Sequence, residues 1–222
     1  MNAAWSLNLN SSLTPEQEAA LEDHRLISGL QVGDEASYER LIERFQAPVY
    51  NLAWRLLADP SDASDVVQEV FLKIFRNIEH FRGESTLRTW VYRIAINESH
   101  NRRRWLFRHR RGEPGIEDTF EDNDAREKPL MDTGETPFDF TMNREAQILL
   151  EEGLAAINPV FRAALVLREI EDMSYDEIAE ILEVSLGTVK SRIMRGREAL
   201  RRYLATRLEP ASGMQLVPGT VK

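Results

Sequence analysis

Residues 174–202 read SYDEIAEILEVSLGTVKSRIMRGREALRR, two short helical stretches around a tight turn. Ser174 and Glu177 have the spacing of a capping box, and Ile178, Ala179, Ile181 and Leu182 follow as an apolar stripe at helical spacing. A second helix starting at Ser185 or Gly187 brings Val189, Ile193, Gly196, Leu200 and Leu204 to one face. It leaves Lys190, Arg192, Arg195, Arg197, Arg201 and Arg202 on the others. Between residues 187 and 202 the one acid is Glu198, whereas a solvated helix face ordinarily mixes both signs. The pattern predicts a helix-turn-helix whose second helix enters a DNA groove.

The chain has 222 residues, enough for two compact domains with cores of their own. A net charge of −9 would argue against a nucleic-acid partner if it were evenly spread, and it is not. Arg102, Arg103, Arg104, Arg108, Arg110 and Arg111 form a second basic cluster, and residues 113–139 hold a run of acids. The absence of cysteine excludes disulfides, thiolate metal sites and thiol redox sensing within the chain. No apolar run approaches the roughly 20 residues that span a bilayer, and residues 1–10 lack the basic start and apolar core of a signal peptide. The expected location is the cytoplasm.

Along the chain, Thr14 and Pro15 predict a helix start, with the helix running through about Ser28. Residues 34–45 carry Tyr38, Leu41, Ile42 and Phe45 at helical spacing, and Pro48 predicts a break before a further helix over 49–58. From Ser61 the stripe Val67, Val70, Phe71, Ile74, Phe75 and Ile78 predicts the most regular helix. Another starts near Ser85, after Gly83, and runs through Trp90, Val91, Ile94 and Ala95 to the arginines. Residues 112–143 are acids, prolines, glycines and threonines with too little apolar content to offset ordering entropy. Asn158 and Pro159 then read as cap and first turn of a helix over 159–170. No segment alternates with period two between turns. The expected fold is all-α, two helical domains joined by a flexible acidic linker, the C-terminal one containing the helix-turn-helix. Its divisions are an extension at 1–22, a first domain at 23–111, the linker at 112–143, a second domain at 144–208 and a tail at 209–222.

Within residues 89–104, Trp90, Ile94 and Val91 face a core while Arg93, Asn97, His100, Asn101, Arg103 and Arg104 share the opposite surface. Cations, amides and aromatics interleaved in this way suit single-stranded DNA. Core aromatics and cations at a helix C-terminus account for the same spacing equally well. Asp65, Gln68 and Glu69 lie on one helix side, as a docking surface for a basic partner or as a solvated face. His24, His80, His100 and His109 have no metal-ligand or base–nucleophile spacing, and no phosphate-binding glycine loop or catalytic carboxylate pair stands out. No catalytic residue, cofactor or metal is expected.

Residues 65–105, DVVQEVFLKIFRNIEHFRGESTLRTWVYRIAINESHNRRRW, resemble region two of a bacterial sigma-70-family factor of the extracytoplasmic-function group (group IV). The stretch 174–202 is similar to region four of the same group. The resemblance spans most of the chain from about His24 to Leu208, in the family's order, and the segment between the regions is too short for the middle domain of housekeeping factors. It is longer and more acidic than the family leads one to expect. The resemblance implies a non-enzymatic sigma factor that binds core RNA polymerase, recognises minus-35 and minus-10 promoter elements and promotes melting to initiate transcription of a stress or envelope regulon. It implies polymerase docking through Asp65, Gln68, Glu69 and Phe71. It assigns base capture from the minus-10 element to Phe81 and the loop with Arg82, and the melted strand to Trp90, Arg93, Asn97, Asn101 and Arg104. It places Lys190, Ser191, Met194 and Arg195 on the minus-35 bases, with Thr188 and Arg192 near phosphates. The implied partners are core polymerase, promoter DNA and an anti-sigma factor, often membrane-bound, with no small-molecule substrate. The alternative is a conventional helix-turn-helix regulator that dimerises through its amino-terminal helices, which leaves residues 65–104 without a purpose.

Overall fold

A proline at its first position, with no intrahelical bond to lose, opens α1 (Pro15–Gln31). The computed structural model describes residues 14–111 and 139–208. The expectations for residues 1–13, for the acidic segment 112–138 and for the tail after 208 lie outside the described residues. Helix α1 runs one turn past Ser28 because Leu30 is buried, and Gly33, at φ 77°, turns the chain. Asp34 then caps α2 (Glu35–Leu57), accepting from the Ser37 amide at 3.0 Å.

The break expected at Pro48 is absent, and α2 continues through it. Leu41, Phe45, Val49, Leu52 and Leu56 make one buried stripe on both sides of the proline. Burying two further turns of that stripe outweighs the roughly 3 kcal/mol that an internal proline costs. Asp59 caps α3 (Pro60–Asn77), which buries Val66, Val67, Val70, Phe71 and Ile74 and closes in a 3-10 turn, Ile78–His80. Thr86 accepts from the Thr89 amide at 3.1 Å to open α4 (Leu87–Arg111).

The second unit begins with α5 (Asp139–Ala156), inside the segment read as linker. A composition averaged over thirty residues conceals a helix start of five. Asn158 caps α6 (Pro159–Glu169) through the Val160 amide at 3.0 Å. The capping box of Ser174 and Glu177 opens α7 (Tyr175–Leu182). Ser185 then accepts from the Thr188 amide at 3.2 Å before α8 (Leu186–Leu208). Among the described residues there is no strand.

Helices α1 to α4 pack on one another, and α8 packs along α6 with α5 and α7 beside it. The two units also meet directly, α4 against α7 and α2 against α5 and α6, around one continuous set of buried side chains. None of the described helices is long and apolar enough to cross a membrane.

Candidate nucleic-acid and polymerase-docking surfaces

The side chains read as a polymerase-docking set divide on α3. Gln68 and Glu69 are exposed. Phe71 is 7% exposed and packs near Phe75, with ring centroids 6.2 Å apart, so it supports this surface from beneath. Asp65 shares Arg102 of α4 with the buried Asp62, at 2.7 and 2.8 Å from the same guanidinium nitrogen. Arg102 is thereby withdrawn from the basic cluster and fixes α4 on α3. Sequence spacing gave no sign of this, since the partners stand about forty residues away.

The loop before α4 is held from the far side of the unit, where Gln31 donates to the carbonyls of Ile78 at 3.3 Å and Phe81 at 3.1 Å. Gly83 turns it at φ 71°, and Arg82 is exposed. Phe81 is only 9% exposed and lies against Trp90 at 5.0 Å, which makes the pair the loop's floor. Asn97, Asn101 and Arg104 are exposed on the following turns of α4 and, with His100, line an open hollow of about 380 Å³. At its side Lys73 pairs with Glu98 at 2.5 Å. The hollow is lined by amides, the His100 ring and the cations Lys73 and Arg104, groups that can hold the base edges and backbone of an unpaired nucleotide.

His100 sits at the base of that hollow. Burial first, then the charges of Arg103, Arg104 and Arg192, push its imidazole down to about 4, so it is neutral at neutral pH. In the unfolded chain the ring titrates near its ordinary value of 6.5. The unfolded form therefore takes up the proton first as pH falls. Stability from this group is complete above pH 6.5 and declines toward pH 4, at a limiting slope of about 1.4 kcal/mol per unit. Urea unfolding of a His100→Gln chain is expected to show a shallower loss between those pH values than the natural chain. Parallel profiles would assign the acid sensitivity elsewhere.

On α8, Val189, Ile193 and Gly196 are buried as the stripe requires. Lys190, Met194 and Arg195 are exposed on the outer face, Met194 to 62%. The Arg195 guanidinium lies 5.5 Å from the Phe161 ring, which steadies it over the start of α6. Thr188 and Ser191 are half-buried and tied into the helix start, Thr188 Oγ1 lying 2.9 Å from Ser185 Oγ and Ser191 donating to the Thr188 carbonyl at 3.0 Å. Arg192 is half-buried on the side toward His100. Arg197 is bound to Glu169 at 2.5 Å and so belongs to the packing of α8 on α6.

Of the residues that join the units, sequence reading singled out Arg93 alone, and for another role. Glu171, in the turn after α6, accepts from the Tyr92 hydroxyl at 2.6 Å and, through its carbonyl, from Arg88 at 2.5 Å. Burial and that carboxylate both raise the Tyr92 phenol above its ordinary range, so it remains a donor. Arg93 lies 3.8 Å from Glu180 of α7, and Arg55 of α2 lies 3.6 Å from Glu151 of α5. Arg162 of α6 is buried and donates to the carbonyl of Leu56 in the first unit at 2.9 Å. The same guanidinium binds the carbonyls of Ala155 and Ile157. The described residues gather no group of His, Cys, Asp and Glu suited to a metal ion.

Comparison with known proteins places these surfaces in context. The family model for Sigma-70 region 2 matches residues 41–109, and that for Sigma-70, region 4 matches 148–200. The RNA polymerase sigma-H factor of Pseudomonas aeruginosa is 35% identical over 201 residues, covering 90% of this chain and 100% of that protein. The ECF RNA polymerase sigma-E factor of Haemophilus influenzae is 36% identical over 186 residues, 81% of this chain and 94% of the relative. Two solved structures share the helical fold at 21% identity. They are CnrH in complex with the cytosolic domain of CnrY (TM-score 0.59, 83% of this chain and 97% of that one) and the sigma factor RpoE with the anti-sigma factor NepR from Bartonella quintana (TM-score 0.58, 78% and 98%).

Proposed function

The chain belongs to the extracytoplasmic-function RNA polymerase sigma factors, and on that footing we propose how its surfaces divide the work of initiation. The observation that carries the assignment is the presence of both sigma regions, in order, in a chain that covers the whole length of a sigma-H relative. A helix-turn-helix regulator acting alone would have no use for residues 41–109.

Gln68, Glu69 and Asp65, with Phe71 beneath them, dock on core polymerase. The loop at Arg82, floored by Phe81 and Trp90, and the α4 residues Arg93, Asn97, Asn101 and Arg104 hold the melted strand of the minus-10 element. Lys190, Ser191, Met194 and Arg195 read the minus-35 element in the major groove, with Thr188 and Arg192 toward phosphates. Opening the duplex costs about 1.4 kcal/mol per base-pair step, offset by stacking and capture of unpaired bases, with no nucleotide hydrolysis by this chain. The first domain takes in α1 to α4 and the second α5 to α8, joined by the acidic segment. The factor works in the cytoplasm, has no catalytic activity or cofactor of its own, and is restrained by an anti-sigma factor. Because the chain has no cysteine, any thiol-based redox signal enters through that partner.

Run-off transcription with core polymerase tests the assignment, since a sigma factor starts transcripts that core alone does not. Within that assay, Arg195→Ala is expected to weaken minus-35 recognition by about 1 to 3 kcal/mol. Asn97→Ala is expected to leave closed complexes intact and slow opening, read by permanganate reactivity of unpaired thymines. Equal loss at one step by both variants would refute the division of labour.

A further inference from the structure

We propose that Glu98 is a positioning residue for base selection: its carboxylate holds the Asn101 amide one way round, so that Asn101 sorts amino bases from keto bases in the melted strand. The inference rests on the reading of Asn101 as a strand contact given above and adds the residue that sets its preference.

Helical spacing puts the two side chains together. Glu98 and Asn101 stand at positions i and i+3 of α4, which share a face. Asn101 Nδ2 donates to Glu98 Oε1 at 3.4 Å, and Lys73 of α3 donates to the same oxygen at 2.5 Å. All three line the hollow with Asn97, His100 and Arg104. The Glu98 side chain is 11% exposed and that of Lys73 42%, so the carboxylate is seated in the wall while its cation lies toward solvent.

A carboxylate there calls for a reason, since it borders the path of a polyanion. Bracing α3 on α4 is a poor one. Val66, Val70 and Ile74 of α3 and Val91 and Ala95 of α4 are already buried, and Arg102 already ties α4 to Asp62 and Asp65. A part-exposed ion pair adds little to that. What Glu98 supplies is an acceptor with no donor of its own, and only the Nδ2 end of an amide can turn toward it. Lys73 offsets its charge against the phosphates.

The consequence lies in the order of donors and acceptors. On their pairing edges adenine and cytosine present an amine donor beside a ring acceptor, whereas guanine and thymine present a carbonyl acceptor beside an N–H donor. An amide meets either order, but only by rotating half a turn to exchange its oxygen and its NH2 group. An untethered asparagine therefore accepts all four bases. Tied at Nδ2, Asn101 keeps its Oδ1 and one N–H in a fixed order and fits one pair of bases only.

The test uses holoenzyme assembled from the full chain and core polymerase. Its probes are fork-junction duplexes built on a promoter that this holoenzyme transcribes, with the four bases placed in turn at each unpaired minus-10 position. The natural chain is expected to separate amino from keto bases by about tenfold at one position, and Asn101→Ala to lose that ratio. Glu98→Ala, which keeps a good helix former on α4, is expected to reduce the same ratio to less than about threefold while leaving binding to a minus-35 duplex unchanged. Lys73→Met breaks the same ion pair. It is nevertheless expected to keep the ratio and to weaken every probe alike, by about threefold, because it leaves the Glu98 charge facing the strand.

A natural ratio in Glu98→Ala, beside a lost one in Asn101→Ala, overturns the proposal. So does an equal loss in Lys73→Met, which would make the pair a simple brace. The absence of any such ratio in the natural chain, or its survival in Asn101→Ala, overturns the reading of Asn101 beneath it and the proposal with it.

Discussion

A Gly196→Leu chain is expected to lose about 3 kcal/mol of stability in its second unit and, with it, minus-35 recognition. Gly196 is buried where α8 crosses α6. A Cβ at this position would stand 3.1 Å from the Phe161 carbonyl oxygen and 3.2 Å from Leu165 Cβ. The first of these neighbours is helix backbone and cannot swing aside. An alanine requires the helices to part by a few tenths of an ångström, and a leucine adds a branched group to a space already filled. The recognition face suffers too, because Arg195 is seated over Phe161 at the same crossing. Denaturant unfolding followed by far-ultraviolet dichroism, alongside binding to a minus-35 duplex, measures both effects. Natural stability and affinity in the leucine variant would show that the crossing is looser than described.

Arg162→Ala is expected to cost about 3 kcal/mol as well, by a different route. Burial, and more weakly the charge of Arg103, lower its guanidinium to about 10, which still leaves it charged at neutral pH. Among the described residues no carboxylate pairs with it. The carbonyls of Leu56, Ala155 and Ile157 compensate the charge instead, and among the described residues the Nε has no partner. Truncation leaves three carbonyls without this donor and opens a cavity at the junction of the units. Arg162→Met keeps much of the volume and removes the cost of burying a charge, so its loss should be clearly smaller. Urea unfolding of the two variants separates the explanations: equal destabilisation would mean that volume is irrelevant and the carbonyl bonds dominate.

Local signals were read correctly where the interaction is local. The capping box at Ser174, the cap at Asn158 with Pro159 after it, and the stripe on α8 all appear in the structure. Each depends on residues within one or two turns of each other, and such patterns are visible in a linear string. Pro48 shows the limit of this logic. Its local preference for a break was overruled by the buried stripe of α2, whose value depends on what α3 and α4 place beside it. Phe71 and Phe81 show another limit. Apolar residues within a functional motif looked available to a partner, whereas packing turned both inward. The exposed amides and cations of α4 and the outer face of α8 were legible because charge that cannot be buried cheaply stays at the surface.

The amino-acid string by itself settled the helical class, the order of the two sigma regions and the exposure of Asn97, Asn101, Arg104, Lys190 and Arg195. These follow from periodicity, capping and charge, all of which act over a few residues. Only the tertiary structure decided that Arg102 belongs to Asp62 and Asp65, that Arg162 reaches Leu56 across 106 positions, and that Glu171 holds Arg88 and Tyr92 about eighty positions away. Such pairs require particular surfaces to meet at particular angles. Many acids and arginines in this chain were equally eligible, and the shape of the packed helices selected among them.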